Sequence, residues 1–233
     1  MAERETPDAV VRLDRAAADE LLAFRRRIID GLPDKDFLHE EPDEPGFVAR
    51  LLGDGALTLG IVADRRIVAY TALILPAVPG DLEAFGLDRR LTSFTEPGRL
   101  AYIAATMVAP EYRGHGIQNR LTRARHAATQ RLGRTHHLAT AALGNRFSWR
   151  NAISNGFHVR TIVELDDPTY GRLTRFLLHR APQPVPLAGP TIWHDATDAI
   201  GQRALFESGF RGVEHRERNG IQQVGYRRPS SAP

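Results

Sequence analysis

Val108-Ala109-Pro110-Glu111-Tyr112-Arg113-Gly114-His115-Gly116-Ile117-Gln118 is the segment of the chain that carries the most structural information. A run of small and apolar residues, 100–109, leads into it and predicts a buried strand. A helical pattern follows Gly116. Glycines between a strand and a helix let the backbone approach a ligand closely, and the first N–H groups of the helix have no partner within it. The segment therefore predicts a turn that binds phosphate, although glycine spacing alone also fits an ordinary strand-to-helix turn.

The helix predicted after the turn has an apolar stripe whose members are spaced three or four residues apart: Ile117, Leu121, Ala124, Ala128 and Leu132. We expect the arginines of this segment to lie off the stripe: Arg120, Arg123, Arg125 and Arg131. Gly133 stands where a glycine commonly ends a helix. The turn therefore opens a helix of about four turns, and the dipole of that helix favours an anion at the turn.

The wider pattern Val-x-Pro-x-Tyr-Arg-Gly-x-Gly-Ile resembles the coenzyme A turn of the GNAT acyltransferases. The signature of that family is Arg/Gln-x-x-Gly-x-Gly/Ala. Arg113 and Gly116 fill its first two fixed places. Gln118 occupies the third, where the family usually has glycine or alanine.

A second segment, 145–157, resembles the late helix of the same family, Asn-x-x-Ala/Ser-x-x-x-Tyr-x-x-x-Gly-Phe. The matching residues are Asn145, Ser148, Gly156 and Phe157. Ala152 stands where the family often has a tyrosine that acts as the general acid. The two motifs occur in the expected order and spacing, and the resemblance spans roughly residues 10–180.

The resemblance implies acetyl-CoA or another acyl-CoA as the cosubstrate, without a metal. It implies that the backbone of Met107 and Val108 pairs with the pantetheine arm, with the N–H of Val108 facing the thioester oxygen. It also implies a set of residues at the diphosphate and the rest of the coenzyme: Arg113, Gly114, His115, Gly116, Ile117, Gln118 and Asn145.

The sequence lacks the two residues that often transfer protons in this family. The family often has a glutamate on the central strand as the base, and residues 101–106 contain none. We expect Tyr102 and Thr106 to share one strand face by alternation, and Tyr102 to donate to the sulfur or to order a water. Ser148 is a second catalytic candidate. Core packing for Tyr102 and a solvated hydroxyl for Ser148 remain open as structural interpretations.

Composition is that of an ordinary globular protein, with 233 residues, 42% of them hydrophobic and 25% charged. The absence of cysteine excludes disulfides, thiolate metal sites and a cysteine nucleophile. Direct attack of the acceptor on a thioester fits that constraint. The net charge of +3 disfavours a nucleic-acid binder on bulk electrostatics. We expect no membrane span and a cytoplasmic location, since no apolar run has the required length and the first residues lack a signal-peptide pattern.

The order of predicted elements is β-α-α-β-β-β-α-β-α-β-β, which the GNAT resemblance implies as a mixed α/β sheet with helices on both faces. Two strands, 56–63 and 67–75, are joined by a hairpin turn, and a long connection, 76–98, precedes the central strand. The patterns predict three parts: a GNAT-like domain over 1–180, a proline-rich linker over 181–190 and a small β-α-β-β extension over 191–233. We expect the extension to pack on the core or on a symmetry mate, and a homodimer is one alternative.

The function predicted from these features is transfer of an acyl group, acetyl first, to an amine of a small molecule or peptide. The acidic segment 34–44 fits a solvated loop, and as a lining of the acceptor side it favours a cationic amine. One alternative is a catalytically silent acyl-CoA-binding sensor, because the usual glutamate and tyrosine are missing. Another is a nucleic-acid binder that uses the Arg-rich helix 120–134, which is disfavoured because no aromatic stacking set accompanies those arginines.

Overall fold

A computed structural model of the chain describes residues 9–34, 37–38, 41–83, 85, 87, 92, 94–167 and 170–230. The described residues form two compact units. The first comprises those of 1–35 and 40–135, and the second comprises those of 36–39 and 136–233.

The first unit is a four-stranded sheet with helices on both faces. Its elements, in chain order, are β1 (Val10–Leu13), α1 (Ala18–Asp30), α2 (Glu44–Leu51), β2 (Ala56–Ala63), β3 (Arg66–Ile74), the short α3 (Gly80–Glu83), β4 (Leu100–Val108) and α4 (Ile117–Arg131). The strand order is β1-β2-β3-β4, and each neighbouring pair is antiparallel. The predicted strand 56–63 is confirmed to the residue, because Gly55 and the Asp64–Arg65 turn bound it.

Adjacent residues of β3 show which helices cover which face of this sheet. Tyr70 packs its ring edge-on against Phe24 of α1, with the ring centroids 5.9 Å apart. The next residue, Thr71, accepts a hydrogen bond from Arg125 Nη1 of α4 at 3.3 Å. Because successive strand residues point to opposite faces, α1 covers one face and α4 the other.

A β-bulge in β4 corrects the predicted alternation along that strand. Ala105 pairs with Ala72, but Ile103 pairs with Leu73, so Ala104 is an extra residue on β4. The register places Tyr102 on the face of α1, whereas Thr106 Oγ1 lies 2.9 Å from Thr71 Oγ1 on the face of α4. The prediction that Tyr102 and Thr106 share one face is therefore wrong, because the bulge reverses the alternation between them.

The buried face of α4 also differs from the predicted stripe. Its buried residues are Ile117, Leu121, Thr122, Arg125 and Thr129. Leu132, predicted to face the core, is 53% exposed, and Arg125, predicted to lie off the stripe, is 4% exposed. The difference arises because polar side chains of this helix meet polar groups of the sheet. Thr71 and Thr106 both accept hydrogen bonds from the Arg125 guanidinium.

The second unit is a six-stranded sheet. Its elements are β5 (His136–Ala142), α5 (Arg146–Ser154), β6 (His158–Asp167), β7 (Gly171–Arg180), β8 (Leu187–Asp195), α6 (Ala199–Glu207), β9 (Arg211–Arg218) and β10 (Ile221–Pro229). The strand order is β5-β7-β6-β9-β10-β8. The predicted β-α-β-β extension corresponds to β8, α6, β9 and β10, and it joins β6 through the pair Val159 and Gly212. β8 begins at Leu187, inside the segment predicted as a linker.

The predicted α/β class and the order of elements over residues 10–180 are confirmed, apart from the additional short helix α3 in the long connection. Proline and glycine mark most of the element ends, which is why single-sequence patterns place them well. Apart from the short segment 36–39, the chain passes from the first unit to the second between residues 135 and 136.

Candidate functional site

The predicted phosphate turn lies between β4 and α4 in the first unit. The N–H of Ala109 donates to the carbonyl of Val68 at 2.9 Å and closes the sheet ladder there. A single 3₁₀ turn, Pro110–Tyr112, follows, and Tyr112 is buried at 6% exposure. Residues 113–116 are all exposed. The turn is therefore anchored at its base and open to solvent at its tip.

Two glycines give the turn its shape. Gly114 has φ +82° and Gly116 has φ +70°, which is the left-handed region that glycine adopts at least cost. A Cβ added at either position would meet no atom within 4 Å. The turn therefore needs glycine for its backbone angles, while the space above it is free for a ligand.

Consecutive N–H groups in the turn have no acceptor among the described residues. They belong to Gly114, His115, Gly116, Ile117 and Gln118. The following helix has 15 residues, and its N-cap residue provides no side-chain hydrogen bond. Five such groups at the positive end of a helix supply donors that suit a diphosphate.

Arg113 links the turn back to the end of β4. Its Nε donates to the carbonyl oxygen of Val108 at 3.2 Å. This bond spans the segment 109–112 and fixes the orientation of the Val108–Ala109 peptide. Arg113 therefore shapes the turn through its side chain as well as through its backbone.

The register of β3 and β4 shows that the N–H groups of Met107 and Val108, the two residues predicted to pair with the pantetheine arm, have different directions. In an antiparallel ladder, hydrogen-bonded and non-hydrogen-bonded pairs alternate. Ala109 is bonded to Val68, so the Met107–Tyr70 pair is also bonded and the Val108–Ala69 pair is not. The N–H of Val108, and not that of Met107, is therefore directed away from β3.

Tyr102 lies on the face of the sheet that α1 covers, near the long connection 76–98. Its side chain is 5% exposed. Its ring centroid lies 5.1 Å from that of Phe85, which belongs to this connection. Phe85 in turn lies under the guanidinium of Arg50 of α2, at 5.9 Å. Tyr102 thus belongs to an aromatic cluster at the α2 end of the face.

Three carboxylates of the acidic segment 34–44 have hydrogen-bond or ion-pair partners within the first unit. Glu41 pairs with Arg50 at 3.0 Å, and Glu44 pairs with Arg25 at 2.5 Å. Asp43 caps α2 by accepting from the N–H of Gly46 at 2.9 Å. Asp36 and Glu40 lie outside the described residues. These pairings weaken the prediction that the segment attracts a cationic acceptor, because three of its carboxylates already have donors.

Arg25 is the centre of a buried polar network that the sequence analysis missed. Its guanidinium is 1% exposed, bonds Glu44 and the hydroxyl of Tyr70, and lies 4.8 Å from the centroid of Phe47. Burial raises the pKa of Tyr70, while the nearby guanidinium lowers it. The signal for this network was present in α1, where Arg25 falls among Leu21, Phe24 and Ile28 at helical spacing.

Arg134 fastens both ends of the long connection to the segment that follows α4. Its Nη1 donates to three carbonyl oxygens, those of Pro76 at 2.5 Å, Pro97 at 3.0 Å and Leu100 at 3.0 Å. Burial lowers the pKa of this guanidinium. The connection that carries Phe85 is thus held at its base by one side chain.

The second predicted motif lies in the second unit and has a clear local role. Asn145 is the N-cap of α5, and its Oδ1 accepts from the N–H of Ser148 at 3.2 Å. Ser148 is half-buried, and Ala152 is 9% exposed. Trp149 is fully buried and donates from Nε1 to the carbonyl of Leu143 at 3.0 Å. The motif therefore starts and anchors a helix, and the roles predicted for Asn145 and Ser148 toward a ligand stay predictions.

The described residues contain no group of three or more His, Asp or Glu side chains arranged to hold a metal ion. Within the same part of the chain, no helix combines the length and the apolar character that crossing a membrane requires.

Comparison with solved structures identifies the architecture. No protein-family profile and no curated protein sequence matches the chain. The ribosomal-protein-S18-alanine N-acetyltransferase of Escherichia coli superposes with a TM-score of 0.55 at 14% identity, covering 79% of this chain and 97% of that one. A GCN5-related N-acetyltransferase (GNAT) of Kribbella flavida gives 0.53 at 21% identity, covering 74% and 96%. The Salmonella typhimurium protein yncA, solved with its cofactor acetyl-CoA, gives 0.55 at 15% identity, covering 78% and 96%.

These solved structures match over nearly their whole length, and the element order over residues 10–180 is the one that the sequence motifs predicted. The chain therefore has the fold of the GNAT acetyltransferases.

Proposed function

We propose that the chain is an acyl-CoA-dependent N-acyltransferase that moves an acyl group, acetyl first, directly to an amine in a ternary complex. The observation that carries the proposal is the row of five N–H groups at residues 114–118, at the positive end of α4. A diphosphate is the ligand chemistry that best matches several consecutive backbone donors at the positive end of a helix. A solved structure of the same fold holds acetyl-CoA, which supports this choice of cosubstrate.

In the proposed complex, Arg113 and residues 114–118 hold the diphosphate. The backbone N–H of Val108 donates to the pantetheine arm, and the thioester lies further along β4 toward Tyr102, which is about 17 Å from Val108 along the strand. Arg113 acts on the next peptide, Val108–Ala109, because its bond to the Val108 carbonyl holds the end of β4 in the orientation in which the Val108 N–H is directed away from β3. The chemistry needs no metal and no covalent enzyme intermediate: a C–N bond forms, the C–S bond breaks and the thiolate leaves.

We propose that Tyr102 donates a proton to the leaving thiolate, with Ser148 as a second candidate for this role. Tyr102→Phe is expected to lower kcat about 100-fold, since a positioned proton donor contributes at least this much. The thermal stabilisation by acetyl-CoA should not change, because the phenol is not assigned to coenzyme binding.

Steady-state kinetics of the Tyr102→Phe, Ser148→Ala and Tyr170→Phe variants test this assignment. Tyr170 is a matched control, because it lies in the turn before β7 and has no proposed role. A wild-type kcat in Tyr102→Phe would remove Tyr102 from the mechanism, and a loss in Ser148→Ala alone would transfer the role to that residue.

One experiment tests the proposal as a whole. The protein is heated with acetyl-CoA and with longer acyl-CoAs, and the donor that stabilises it most is then offered to a panel of small-molecule amines and peptide N-termini. Release of free coenzyme A thiol with at least one amine is the expected result. Stabilisation without any thiol release would favour the alternative of a silent acyl-CoA-binding module.

The nucleic-acid alternative loses support from α4. Arg125 is buried against Thr71 and Thr106, and Arg134 is bonded to three carbonyl groups. Two of the arginines that this hypothesis needs are therefore committed to the first unit itself. Retention on DNA or RNA that falls steeply with added salt would be required to revive it.

A further inference from the structure

A second group of basic side chains lies on four strands of the second unit, and one of its members directly follows the last residue of the second motif. It consists of His136 of β5, His179 of β7, His158 and Arg160 of β6, and Arg211 of β9. We call these five residues the basic cluster. They come from neighbouring strands, because β7, β6 and β9 are adjacent in the sheet and β5 borders β7.

The three histidines of the basic cluster are in direct contact. His136 Nδ1 and His179 Nε2 are 3.0 Å apart, and the two rings are stacked with an interplanar angle of 5°. His158 pairs with His179 across β6 and β7, and its ring meets that of His179 at 5.0 Å and 75°. His158 and His179 are buried, at 6% and 4% exposure. The three rings therefore pack against one another in one contiguous group, which we call the histidine wall.

The two arginines of the basic cluster face each other across β6 and β9. These strands are antiparallel with Val159 opposite Gly212, so the next positions, Arg160 and Arg211, are also opposite. Arg160 is the extra residue of a bulge, since Val159 pairs with Leu178 and Thr161 with Leu177. Like charges directly opposite each other destabilise a sheet. Both arginines are half-buried, which increases their mutual repulsion.

The basic groups around the buried rings create a positive local field. The pKa of His158 is lowered to about 4, first by burial and then by the charges of Arg211 and Arg160. The pKa of His179 is lowered to about 2, first by burial and then by neighbouring basic groups, His158, Arg160, His136 and His137. Burial lowers the pKa of Arg160, and Arg211 adds to this effect. Such a field repels a metal cation, although histidines are common metal ligands.

We propose that the basic cluster binds a divalent oxyanion of the phosphate or sulfate type between Arg160 and Arg211, beside the histidine wall. Guanidinium groups bind tetrahedral oxyanions through paired N–H donors, and an anion between two of them converts their repulsion into attraction. Ring N–H groups of the histidines supply further donors. The ligand is either inorganic phosphate or the phosphate group of a nucleotide. The site is independent of the proposed acyl transfer.

Sulfate is the first probe, with chloride at equal ionic strength as the reference. We expect sulfate to raise the melting temperature of the wild type, and Arg160→Gln and Arg211→Gln each to weaken sulfate binding about tenfold, as loss of a charged hydrogen-bond donor does. Arg172→Gln is the matched control, because Arg172 belongs to the same sheet and its side chain is 71% exposed.

Gly116→Asp separates this site from the turn between β4 and α4. The sulfate response attributed to the basic cluster should survive in this variant and disappear in the double variant Arg160→Gln, Arg211→Gln. An unchanged sulfate response in the double variant would overturn the proposal, whatever the outcome for acyl-CoA.

Two further measurements, the pH dependence of sulfate binding and a comparison of phosphate compounds, define the chemistry of the ligand. Sulfate stays divalent between pH 5.5 and 8, and the lowered pKa values of His158 and His179 keep both rings neutral there, so sulfate binding should stay constant over this range; binding that tightens steeply as pH falls would contradict a site formed by the two arginines. Inorganic phosphate, AMP and adenosine distinguish the sources. Equal responses to phosphate and AMP with none to adenosine indicate a free oxyanion, and a larger response to AMP indicates a nucleotide phosphate. A response to adenosine alone would contradict the proposal.

Discussion

Acetyl-CoA is expected to stabilise the wild-type chain against heat and to leave Gly116→Asp unchanged. The substitution puts a carboxylate among the five N–H groups of residues 114–118, where it repels the diphosphate and competes for the same donors. At a ligand concentration about 100 times the Kd, the loss amounts to about 2.7 kcal/mol of stabilisation. Differential scanning fluorimetry over a range of acetyl-CoA concentrations measures it directly.

Gly133→Asp is the control for backbone strain in this experiment. Gly133 has φ +71°, almost the same as the +70° of Gly116, and a Cβ there would also meet no atom within 4 Å. It lies past the opposite end of α4, where no phosphate is proposed. Both variants therefore carry similar backbone strain, the helix dipole makes the carboxylate more costly at 133 than at 116, and only Gly116→Asp should lose the response to acetyl-CoA. A full response in Gly116→Asp would remove the turn from the proposed function.

Arg25→Ala is expected to lower the free energy of unfolding by about 3–5 kcal/mol, because removal of one partner of a buried ion pair leaves the other without compensation. Arg25 is 1% exposed and bonds both Glu44 and the Tyr70 hydroxyl, so its loss affects the contacts that join α1, α2 and β3. Urea unfolding followed by circular dichroism gives the change from the midpoint and slope.

Arg66→Ala serves as the comparison for Arg25. Arg66 pairs with Glu20 at 3.2 Å, but its side chain is 62% exposed, and such surface pairs contribute less than about 1 kcal/mol. Equal losses in the two variants would show that the buried network does not stabilise the first unit more than a surface pair does.

The phosphate turn was predictable from sequence because its geometry depends on short-range features. A proline ends the ladder, glycines supply the left-handed angles at 114 and 116, and the helix follows at once. The same holds for β2 and β3, whose hairpin is bounded by local turn residues. Signals of this kind lie within a few residues of the structure that they determine.

The errors arose where distant partners decide the structure. Arg125 is buried because Thr71 and Thr106 accept its hydrogen bonds, and neither lies in its own helix. Glu44 is neutralised by Arg25, 19 residues away in the chain. A helical pattern or a run of acidic residues cannot reveal such pairs. Hydrophobic periodicity therefore predicted the wrong set of buried residues on α4. In the same way, counting charges overstated the acidity of the segment 34–44.

The candidate site also combines features that local sequence predicts with features that depend on distant partners. The backbone donors at 114–118 follow from local sequence, whereas the choice of Val108 over Met107 requires the register with β3. The catalytic assignments of Tyr102 and Ser148 depend on side-chain neighbours and stay predictions.

Because Ala104 is an extra residue, the alternation of side chains between the two faces of β4 reverses at this position. Before it, the even-numbered residues such as Tyr102 face α1, and after it the odd-numbered residues such as Met107 do. A deletion scan would therefore be most informative at this residue. Loss of Ala104 would leave every other residue of β4 opposite its present partner on β3, so both halves of the strand would keep the faces that they now present and only the bulge itself would disappear.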